Sequence, residues 1–331
     1  MKETMNILTS TDENYAPWCG VMLTSLLEQN SDRDIRIYIM GDDLSVSSKE
    51  KFKSLHKNLT IIDVNWDLFD GFIPPLGAKD YLSRTTWARL GVAEFLPIDI
   101  NKILYIDGDT LVMGSLAELY DTDLTHFAAA AVDEYRDASY LNIDGMYFNA
   151  GVVLINVDYF RDNGLFKKFI DFIVNNSHRL RFHDQDVLNK VLEGKVKFLH
   201  RKFNMTCCGD VVSEDLRKGI KFIQDREAID DNDVRIYHYV GRMKPWFLYL
   251  YRPRPFDHCW RQVYRRSIWR NFKLQSQIKS PIVKIKIMLN NFLFFTKIKR
   301  PEIYKYWTDV YPVPLGMYSK HFFRLTPIVD L

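Results

Sequence analysis

The sequence predicts an α/β fold in which a mostly parallel sheet is flanked by helices. Strand-like and helix-like segments alternate from the first residues onward, which is the order expected of βαβ units. Several strand-like segments are also continuous apolar runs, as in strands that are covered on both faces. With 331 residues, of which 47% are hydrophobic, the chain is long enough to bury a large core. These observations together favour a Rossmann-like sheet.

The alternation is clearest in the first hundred or so residues. The predicted elements are strands at 6–9, 35–40 and 59–64 and helices near 18–29 and 47–57. The next predicted helix begins after Ser83, whose hydroxyl suits an N-cap, and runs to Phe95, with Pro97 as a stop signal.

The later part of the body shows the same two patterns. Residues 127–132 and 151–156 are predicted as further buried strands, and a helix is predicted after Gly164. That helix carries apolar residues at i, i+3, i+4 and i+7, namely Phe166, Phe169, Ile170 and Ile173. Because this spacing puts them on one helix face, they are predicted to be core residues and not a cofactor site.

The most informative stretch is residues 102–112, in which an apolar run brings Asp107 and Asp109 to the end of a predicted strand. Ligands of an open α/β sheet bind beyond the carboxyl ends of its strands. The Asp-x-Asp pattern occurs five times in the chain, but only the Asp107 copy follows a wholly apolar strand. This copy therefore predicts a site for a divalent cation held by carboxylate oxygens.

Charge divides the chain near residue 250. Residues 251–331 contain 16 Lys or Arg and 4 Asp or Glu, whereas residues 1–250 are net acidic. The basic residues are interleaved with aromatic ones. We therefore predict a ligand-binding domain at 1–250 and a basic, aromatic, helical appendage at 251–331. Such an appendage attracts phosphates, nucleic acid or an anionic membrane surface.

The sequence also bears on the cellular compartment. The N-terminal residues lack the apolar segment and cleavage site of a secretory signal, and no stretch is long and apolar enough for a membrane span. We therefore expect a cytoplasmic protein. Four cysteines lack zinc-ligand spacing and are expected to be free thiols: Cys19, Cys207, Cys208 and Cys259.

Five further segments place polar residues among apolar ones. They are Ser-Thr-Asp-Glu-Asn-Tyr at 10–15, Thr-Thr-Trp-Ala-Arg-Leu at 85–90, Tyr-Phe-Asn-Ala-Gly-Val at 147–152, His-Asp-Gln-Asp-Val-Leu-Asn at 183–189 and His-Tyr-Val-Gly-Arg-Met-Lys-Pro-Trp at 238–246. In this order, and together with the Asp107 strand, they closely resemble glycosyltransferase family 8. That family comprises retaining sugar-nucleotide transferases, among them bacterial lipopolysaccharide galactosyl- and glucosyltransferases. The resemblance spans roughly residues 5–250 and implies an A-type glycosyltransferase fold.

The resemblance implies roles for individual residues. Asp107, Asp109 and His238 match the family's metal ligands, and the imidazole favours Mn²⁺ over Mg²⁺. UDP-hexose is the expected donor, and its matching positions are Ser10, Asp12, Asn14, Arg89, Asp133, Asn149, Gly241 and Lys244. Asp184 and Gln185 match the reaction centre. Because Gln185 is an amide and a poor nucleophile, the resemblance favours attack on the face that the diphosphate leaves.

For several of these residues the sequence also allows a purely structural role. Asp12 and Asn14 could form an Asx-turn or a helix cap, and Asp184 could begin the helix at 185–192. Arg89 could make a surface ion pair. His238 could be a hydrogen-bonded core side chain.

The main functional hypothesis is a metal-dependent hexosyltransferase for galactose or glucose. Its acceptor would be a glycan or a lipid-linked glycan of lipopolysaccharide or another surface polysaccharide, and the basic tail would attach it to the inner face of the cytoplasmic membrane. One alternative is a nucleic-acid-binding protein that uses the tail, although the acidic body would repel a polyanion and no nucleic acid partner is expected. The other is an inactive module that binds sugar nucleotides.

Overall fold

A seven-stranded mixed sheet forms the centre of the molecule and is accompanied by a smaller three-stranded sheet. The structure is a computed structural model, and it describes residues 3–69, 71–74, 83–134, 136–206, 233–241, 244–248, 256–276, 280–282 and 284–285. The strands are β1 (Met5–Asp12), β2 (Ile35–Asp42), β3 (Leu59–Asp63), β4 (Lys102–Ile106), β5 (Thr110–Val112), β6 (Ala129–Asp133), β7 (Phe148–Asn156), β8 (Val196–Phe198), β9 (Met205–Thr206) and β10 (Ile236–His238).

The large sheet has the strand order β3-β2-β1-β4-β7-β6-β8, and the small sheet has the order β5-β10-β9. In the large sheet β1 pairs parallel with β2 and β4, β2 pairs parallel with β3, and β6 pairs parallel with β8. Among the described strands of this sheet, only β7 runs antiparallel to its neighbours, β4 and β6. The predicted α/β fold with a mostly parallel sheet is therefore confirmed.

Most of the described helices flank the large sheet, and the last one packs on the first helix and the small sheet. The helices are α1 (Ala16–Gln29), α2 (Val46–Leu55), α3 (Val92–Phe95), α4 (Ala117–Tyr120), α5 (Val157–Asp162), α6 (Leu165–Asn176), α7 (His183–Val191) and α8 (Asp257–Arg266). Short 3₁₀ helices lie at Trp66–Phe69, Arg84–Gly91, Ser139–Leu141, Ser177–Arg179 and Arg201–Phe203. No described helix combines the length and the hydrophobicity that crossing a membrane requires.

The predicted helix from Ser83 to Phe95 differs from the structure in type. Ser83 does cap it, because its Oγ accepts a hydrogen bond from the backbone N–H of Thr85 at 3.3 Å. The first eight residues, however, form a 3₁₀ helix, and only the last four, α3, are α-helical. A helix of this mixed type has no separate signature in the hydrophobic pattern, since the two forms have similar periods.

The core lies on both faces of the large sheet, as the apolar runs predict. Along β4, Ile103 and Tyr105 pack on one side of the sheet, and Leu104 and Ile106 pack on the other. All four are almost completely buried. The carboxyl end of this strand is therefore a rigid support for the residues that follow it.

The segment after residue 250 packs against the body where the structure describes it. Trp260 of α8 and Trp269 are 0% and 2% exposed, and Trp260 lies 5.9 Å from Trp18 of α1 between ring centroids. Trp269 occupies the space next to Gly20, where a Cβ atom would come within 2.1 Å of its ring. These tryptophans therefore belong to the core. Most of the predicted appendage, residues 286–331, lies outside the described residues.

Candidate active site

The turn between β4 and β5 carries the predicted Asp-Gly-Asp motif from one sheet to the other. The large-sheet strand ends at Ile106, and the small-sheet strand begins at Thr110. The backbone N–H of Asp107 donates to the carbonyl of Gly151 at 2.8 Å, and the Thr110 hydroxyl donates to the carbonyl of Asp107 at 2.9 Å. Both carboxylates are thus held at the carboxyl end of the sheet, where ligands of such sheets bind.

His238 joins the two carboxylates because its strand pairs with the one that follows them. In the antiparallel pair of β10 and β5, His238 lies opposite Thr110. Its Nε2 is 3.2 Å from Asp109 Oδ1 and 3.9 Å from Asp107 Oδ2. One ligand atom from each of the three residues lies within 4.8 Å of the others. Two carboxylates and an imidazole form a donor set that fits a divalent cation.

Gly151 supplies the space that this cluster needs. A Cβ atom at position 151 would lie 2.2 Å from His238 Cε1 and 2.6 Å from Asp107 Oδ2. Any side chain would therefore displace two members of the cluster. Gly151 was not among the predicted site residues, because the need for a glycine arises from strands that are distant in sequence.

Arg89 is a buried cation that links two carboxylates of the site. Its Nη2 is 3.1 Å from Asp107 Oδ1, and its Nε is 2.9 Å from Asp184 Oδ2. The guanidinium also lies over the Tyr105 ring, 4.3 Å from its centroid. Burial opposes its charge, but Asp107 and Asp184 outweigh burial and raise the pKa of Arg89. The proposed alternative, a surface ion pair, is wrong for Arg89.

Asp184 lies in the first turn of α7, one residue inside the helix. Phe182 occupies the N-cap position, so the alternative of Asp184 as a cap does not describe this helix. Burial raises the pKa of Asp184 to about 6, and Asp107 acts in the same direction, whereas Arg89 acts against them. A carboxylate with a raised pKa at a ligand site is a typical sign of a functional position.

Lys244 contacts the second carboxylate of the Asp-Gly-Asp turn. Its Nζ donates hydrogen bonds to Asp109 Oδ2 and, at 2.6 Å, to the carbonyl of Tyr239. Burial alone would raise the pKa of Asp109, but Lys244 and His238 outweigh it and hold that pKa well below its usual range. Gly241, between Tyr239 and Lys244, has a φ of 80°, a left-handed conformation that favours glycine.

Ser10 and Tyr105 form a hydrogen-bonded chain to the cluster. Ser10 Oγ is 2.8 Å from the Tyr105 hydroxyl, which donates to Asp107 Oδ1 at 2.8 Å. Ser10 is thereby connected to the carboxylate through Tyr105. The sequence did not single out Tyr105, since it is one of several residues in the apolar run of β4.

The other two predicted residues near the end of β1 lie at the turn before α1. Asp12 Oδ1 accepts a hydrogen bond from the backbone N–H of Tyr15 at 2.9 Å, so the Asx-turn alternative describes the local contact of Asp12. Asn14 is exposed at the same turn. Glu13 faces α2 instead, where it accepts hydrogen bonds from Ser45.

Gln185 is held at both ends of its amide. Its Oε1 accepts from the backbone N–H of Ala150 at 3.0 Å, and its Nε2 donates to Glu134 Oε2 at 2.7 Å and to the Tyr147 hydroxyl at 3.2 Å. The amide orientation is therefore fixed. Glu134 was not predicted as a site residue, although it directly follows the predicted Asp133, which ends β6 opposite Phe148.

Asn149 is linked to His238 through the side chain of Asn204. Its Oδ1 accepts from the backbone N–H of Gly151 at 2.9 Å and from Asn204 Nδ2 at 3.0 Å. The Oδ1 of Asn204 in turn lies 3.0 Å from His238 Nδ1. Asn204 is a further residue that the sequence did not assign to the site.

The fold and the site together define a class of protein. A mostly parallel sheet presents two carboxylates at the carboxyl end of a strand, the small sheet adds an imidazole, and a buried arginine and a buried lysine lie beside them. This arrangement is typical of enzymes that bind a phosphorylated ligand together with a divalent metal.

Comparison with known proteins identifies the family. The family model described as glycosyl transferase family 8 matches residues 6–248. The chain therefore belongs to glycosyltransferase family 8, and the protein is a glycosyltransferase. The predictions of family, fold and enzyme class are confirmed, and the nucleic-acid-binding alternative finds no support in these comparisons.

Bacterial relatives cover most of the chain. It is 27% identical over 297 residues to a lipopolysaccharide 1,2-glucosyltransferase of Escherichia coli, covering 84% of this chain and 83% of the relative. It is 25% identical over 280 residues to a lipopolysaccharide 1,3-galactosyltransferase of Salmonella typhimurium, and the match covers 78% of this chain and 80% of the relative. The crystal structure of the galactosyltransferase LgtC in complex with donor and acceptor sugar analogues superposes with a TM-score of 0.66 at 27% identity, covering 81% of this chain and 99% of LgtC.

Proposed function

We propose that the protein transfers a hexose, galactose or glucose, from a UDP-sugar to a glycan or lipid-linked glycan acceptor, with retention of configuration and with Mn²⁺ or Mg²⁺. The observation that carries this proposal is the cluster of Asp107, Asp109 and His238 at the end of the sheet. The lipopolysaccharide hexosyltransferases among the relatives support the hexose and the surface-glycan pathway.

The cation would be held by Asp107, Asp109 and His238. When bound, it supplies positive charge that neutralises a diphosphate. An imidazole among the ligands favours Mn²⁺ over Mg²⁺, because Mg²⁺ prefers an all-oxygen shell. The room left by Gly151 supports this assignment, since a methyl group there would occupy the position of the ligands themselves.

Lys244 is proposed to stabilise the leaving diphosphate. Its side chain is 5% exposed and its ammonium lies against Asp109, so it adds positive charge at the edge of the cluster. The left-handed Gly241 lets the backbone at this position approach a ligand closely. Ser10, Asp12 and Asn14 lie at or just after the end of β1, the position at which an α/β sheet binds a nucleotide.

Gln185 is proposed to stabilise the developing positive charge at the anomeric carbon. Its carbonyl oxygen accepts one backbone hydrogen bond, and its fixed orientation means that no reorganisation is needed during the reaction. An amide is a poor nucleophile, so we favour attack from the face that the diphosphate leaves, with a diphosphate oxygen taking the acceptor's proton. Asp133, Asn149 and Asp184 are proposed to bind the sugar hydroxyls.

A ligand screen tests the donor and the metal together. Thermal unfolding is measured with UDP-glucose, UDP-galactose and their N-acetyl counterparts, each with and without Mn²⁺, because ligands that bind the folded state raise the melting temperature. We expect the largest shift with one UDP-hexose and Mn²⁺ together. Equal shifts with and without Mn²⁺ would contradict the metal requirement. Slow release of free hexose from the same donor separates an enzyme from an inactive binding module.

We further propose peripheral attachment to the inner face of the cytoplasmic membrane. On α8 and the turn after it, Arg265, Arg270 and Lys273 are exposed, and Ile268 and Phe272 are 39% and 41% exposed beside them. Cations next to exposed apolar side chains suit an anionic headgroup region, where each cation contributes about 1 kcal/mol.

Sedimentation with anionic vesicles tests this attachment. We expect the charge reversal Arg270→Glu with Lys273→Glu to weaken vesicle binding about tenfold or more, since it removes two favourable contacts and adds two repulsive ones. The control reverses two exposed lysines of α6, on the other side of the sheet, with Lys167→Glu and Lys168→Glu. An equal loss in both variants would show that net charge, and not this surface, decides binding.

A further inference from the structure

We infer that Asn204 is a positioning residue that fixes which ring nitrogen of His238 faces the cation. The inference rests on the proposed metal site. Three groups form what we call the amide relay: the backbone N–H of Gly151, the side-chain amide of Asn149 and the side-chain amide of Asn204. The relay ends at His238 Nδ1.

The orientation of the first amide follows from the backbone. The N–H of Gly151 can only donate, and it lies 2.9 Å from Asn149 Oδ1. The oxygen of Asn149 must therefore face Gly151, because its NH₂ group would place two donors against each other. The backbone of β7 thus determines the direction of the Asn149 amide.

The second amide follows from the first. Asn149 Oδ1 also lies 3.0 Å from the Asn204 side chain, and an acceptor there requires the NH₂ group of Asn204 on that side. The oxygen of Asn204 must then point away from Asn149. It lies 3.0 Å from His238 Nδ1.

The state of the imidazole follows from the second amide. A carbonyl oxygen facing Nδ1 requires a proton on Nδ1, so in the neutral ring the lone pair is on Nε2. Nε2 is the nitrogen that lies 3.2 Å from Asp109 Oδ1. The relay therefore directs the ring lone pair toward the space between the two carboxylates, which is the form that a metal ligand needs.

Burial and strand pairing make the hydrogen bonds of the amide relay costly to lose. Asn149, Asn204 and His238 are 6%, 3% and 3% exposed, so water cannot easily replace a lost partner. Asn204 directly precedes β9, which pairs parallel with β10 and places His238 opposite Thr206. The amide is therefore held beside the ring by the backbone of the small sheet.

Two substitutions at position 204 separate positioning from simple packing. Asn204→Leu keeps the approximate size but removes the acceptor at His238 Nδ1. Asn204→Asp keeps an acceptor there and gives the carboxylate–histidine–metal arrangement that is common in metalloproteins, but it removes the N–H donor to Asn149 Oδ1. The measurement is Mn²⁺ affinity of the full-length protein in the presence of UDP, from the free Mn²⁺ signal in electron paramagnetic resonance. Near-ultraviolet circular dichroism shows whether each variant is folded.

We expect Asn204→Leu to weaken Mn²⁺ binding by about 10- to 100-fold, the usual effect of removing the partner of a metal-bound histidine. Asn204→Asp should bind Mn²⁺ more tightly than Asn204→Leu, because it keeps the acceptor at His238 Nδ1 although Asn149 Oδ1 loses its N–H donor. An unchanged affinity in Asn204→Leu, or equal losses in folded Leu and Asp variants, would overturn the inference. Asp107→Asn serves as the reference for the site itself: if it binds Mn²⁺ as well as the natural protein, the proposed metal site is wrong, whatever Asn204 does.

Discussion

Gly151 and His238 are packed so closely that position 151 has no room for a methyl group. The ideal Cβ position is 2.2 Å from His238 Cε1 and 2.9 Å from His238 Nδ1, well inside van der Waals contact. The same glycine donates its N–H to Asn149 and accepts the N–H of Asp107. A single residue of β7 thus positions both a carboxylate and the imidazole.

Gly151→Ala should abolish binding of Mn²⁺ and sugar transfer. The new methyl group would push the His238 ring and the Asp107 carboxylate apart, because the strands around them are rigidly paired. We expect Mn²⁺ affinity, measured by electron paramagnetic resonance, to fall by more than about 100-fold. The matched control is Gly145→Ala, since a Cβ atom there meets nothing within 4 Å. Normal Mn²⁺ binding by Gly151→Ala would mean that the cluster is not the cation site.

Asp107→Asn should remove the metal and the activity while leaving the protein folded. The substitution keeps the side-chain volume, an oxygen can still accept from Tyr105, and Arg89 keeps its pair with Asp184. Asp109→Asn is the less clean test, because it leaves the buried Lys244 without its carboxylate partner. Hexose release from the UDP-sugar and thermal unfolding are measured together. Near-normal turnover at limiting Mn²⁺ would contradict the assignment.

Gln185→Ala should lower kcat much more than it weakens UDP binding. The proposed contact strengthens only as charge develops at the anomeric carbon, so its loss affects the transition state. We expect kcat to fall by about 10²- to 10³-fold, as for the loss of one transition-state hydrogen-bonding group. UDP affinity is measured by calorimetry in the same variant. An equal loss of UDP affinity would instead assign Gln185 to ground-state binding.

Trp269→Ala should destabilise the whole body, although residue 269 follows the predicted boundary. The Trp269 ring is 2% exposed and packs on Gly20 and Phe52. Removing a buried aromatic ring of this kind costs about 3–5 kcal/mol in the free energy of unfolding, measured with urea. Ile268→Ala is the control, because Ile268 is 39% exposed, and its loss should cost about 1 kcal/mol or less. A cost of about 1 kcal/mol or less for Trp269→Ala would show that this segment does not contribute to the core.

Cys19 should resist alkylation in the folded protein. Burial raises the pKa of its thiol to about 12, with Asp107 acting in the same direction against a hydrogen bond to Thr9. The reactive thiolate is therefore almost absent at about pH 8. Mass spectrometry after iodoacetamide treatment should find Cys19 modified only after denaturant is added. Rapid modification under native conditions would mean that α1 opens frequently beside the Asp-Gly-Asp turn.

The sequence predicts features that depend on one segment at a time. Asp107 was recognisable because an apolar run ends directly before it, and the face of α6 was recognisable from its helical spacing. The antiparallel direction of β7 could not be recognised in this way. Eight of its nine residues are buried and both faces of the strand are covered, and this pattern fits a parallel strand equally well.

Partners that come from distant segments were harder to predict. The ion pair of Lys244 and Asp109 joins residues 135 positions apart, and the hydrogen bond of Gln185 to Glu134 joins residues 51 apart. Tyr105 and Asn204 carry no pattern of their own, since a tyrosine in a strand and an asparagine before a short strand are common. Their roles depend on which strands lie side by side, and that follows only from the folded topology.

The Asp-Gly-Asp turn connects the two sheets of the molecule. It is the point at which the chain leaves the large sheet and enters the small one, and the third ligand comes from a different strand of the small sheet. A cation bound here would act as a cross-link between two separately hydrogen-bonded layers. Its binding free energy would then add to the stability of the folded enzyme and hold the two sheets in a fixed relation.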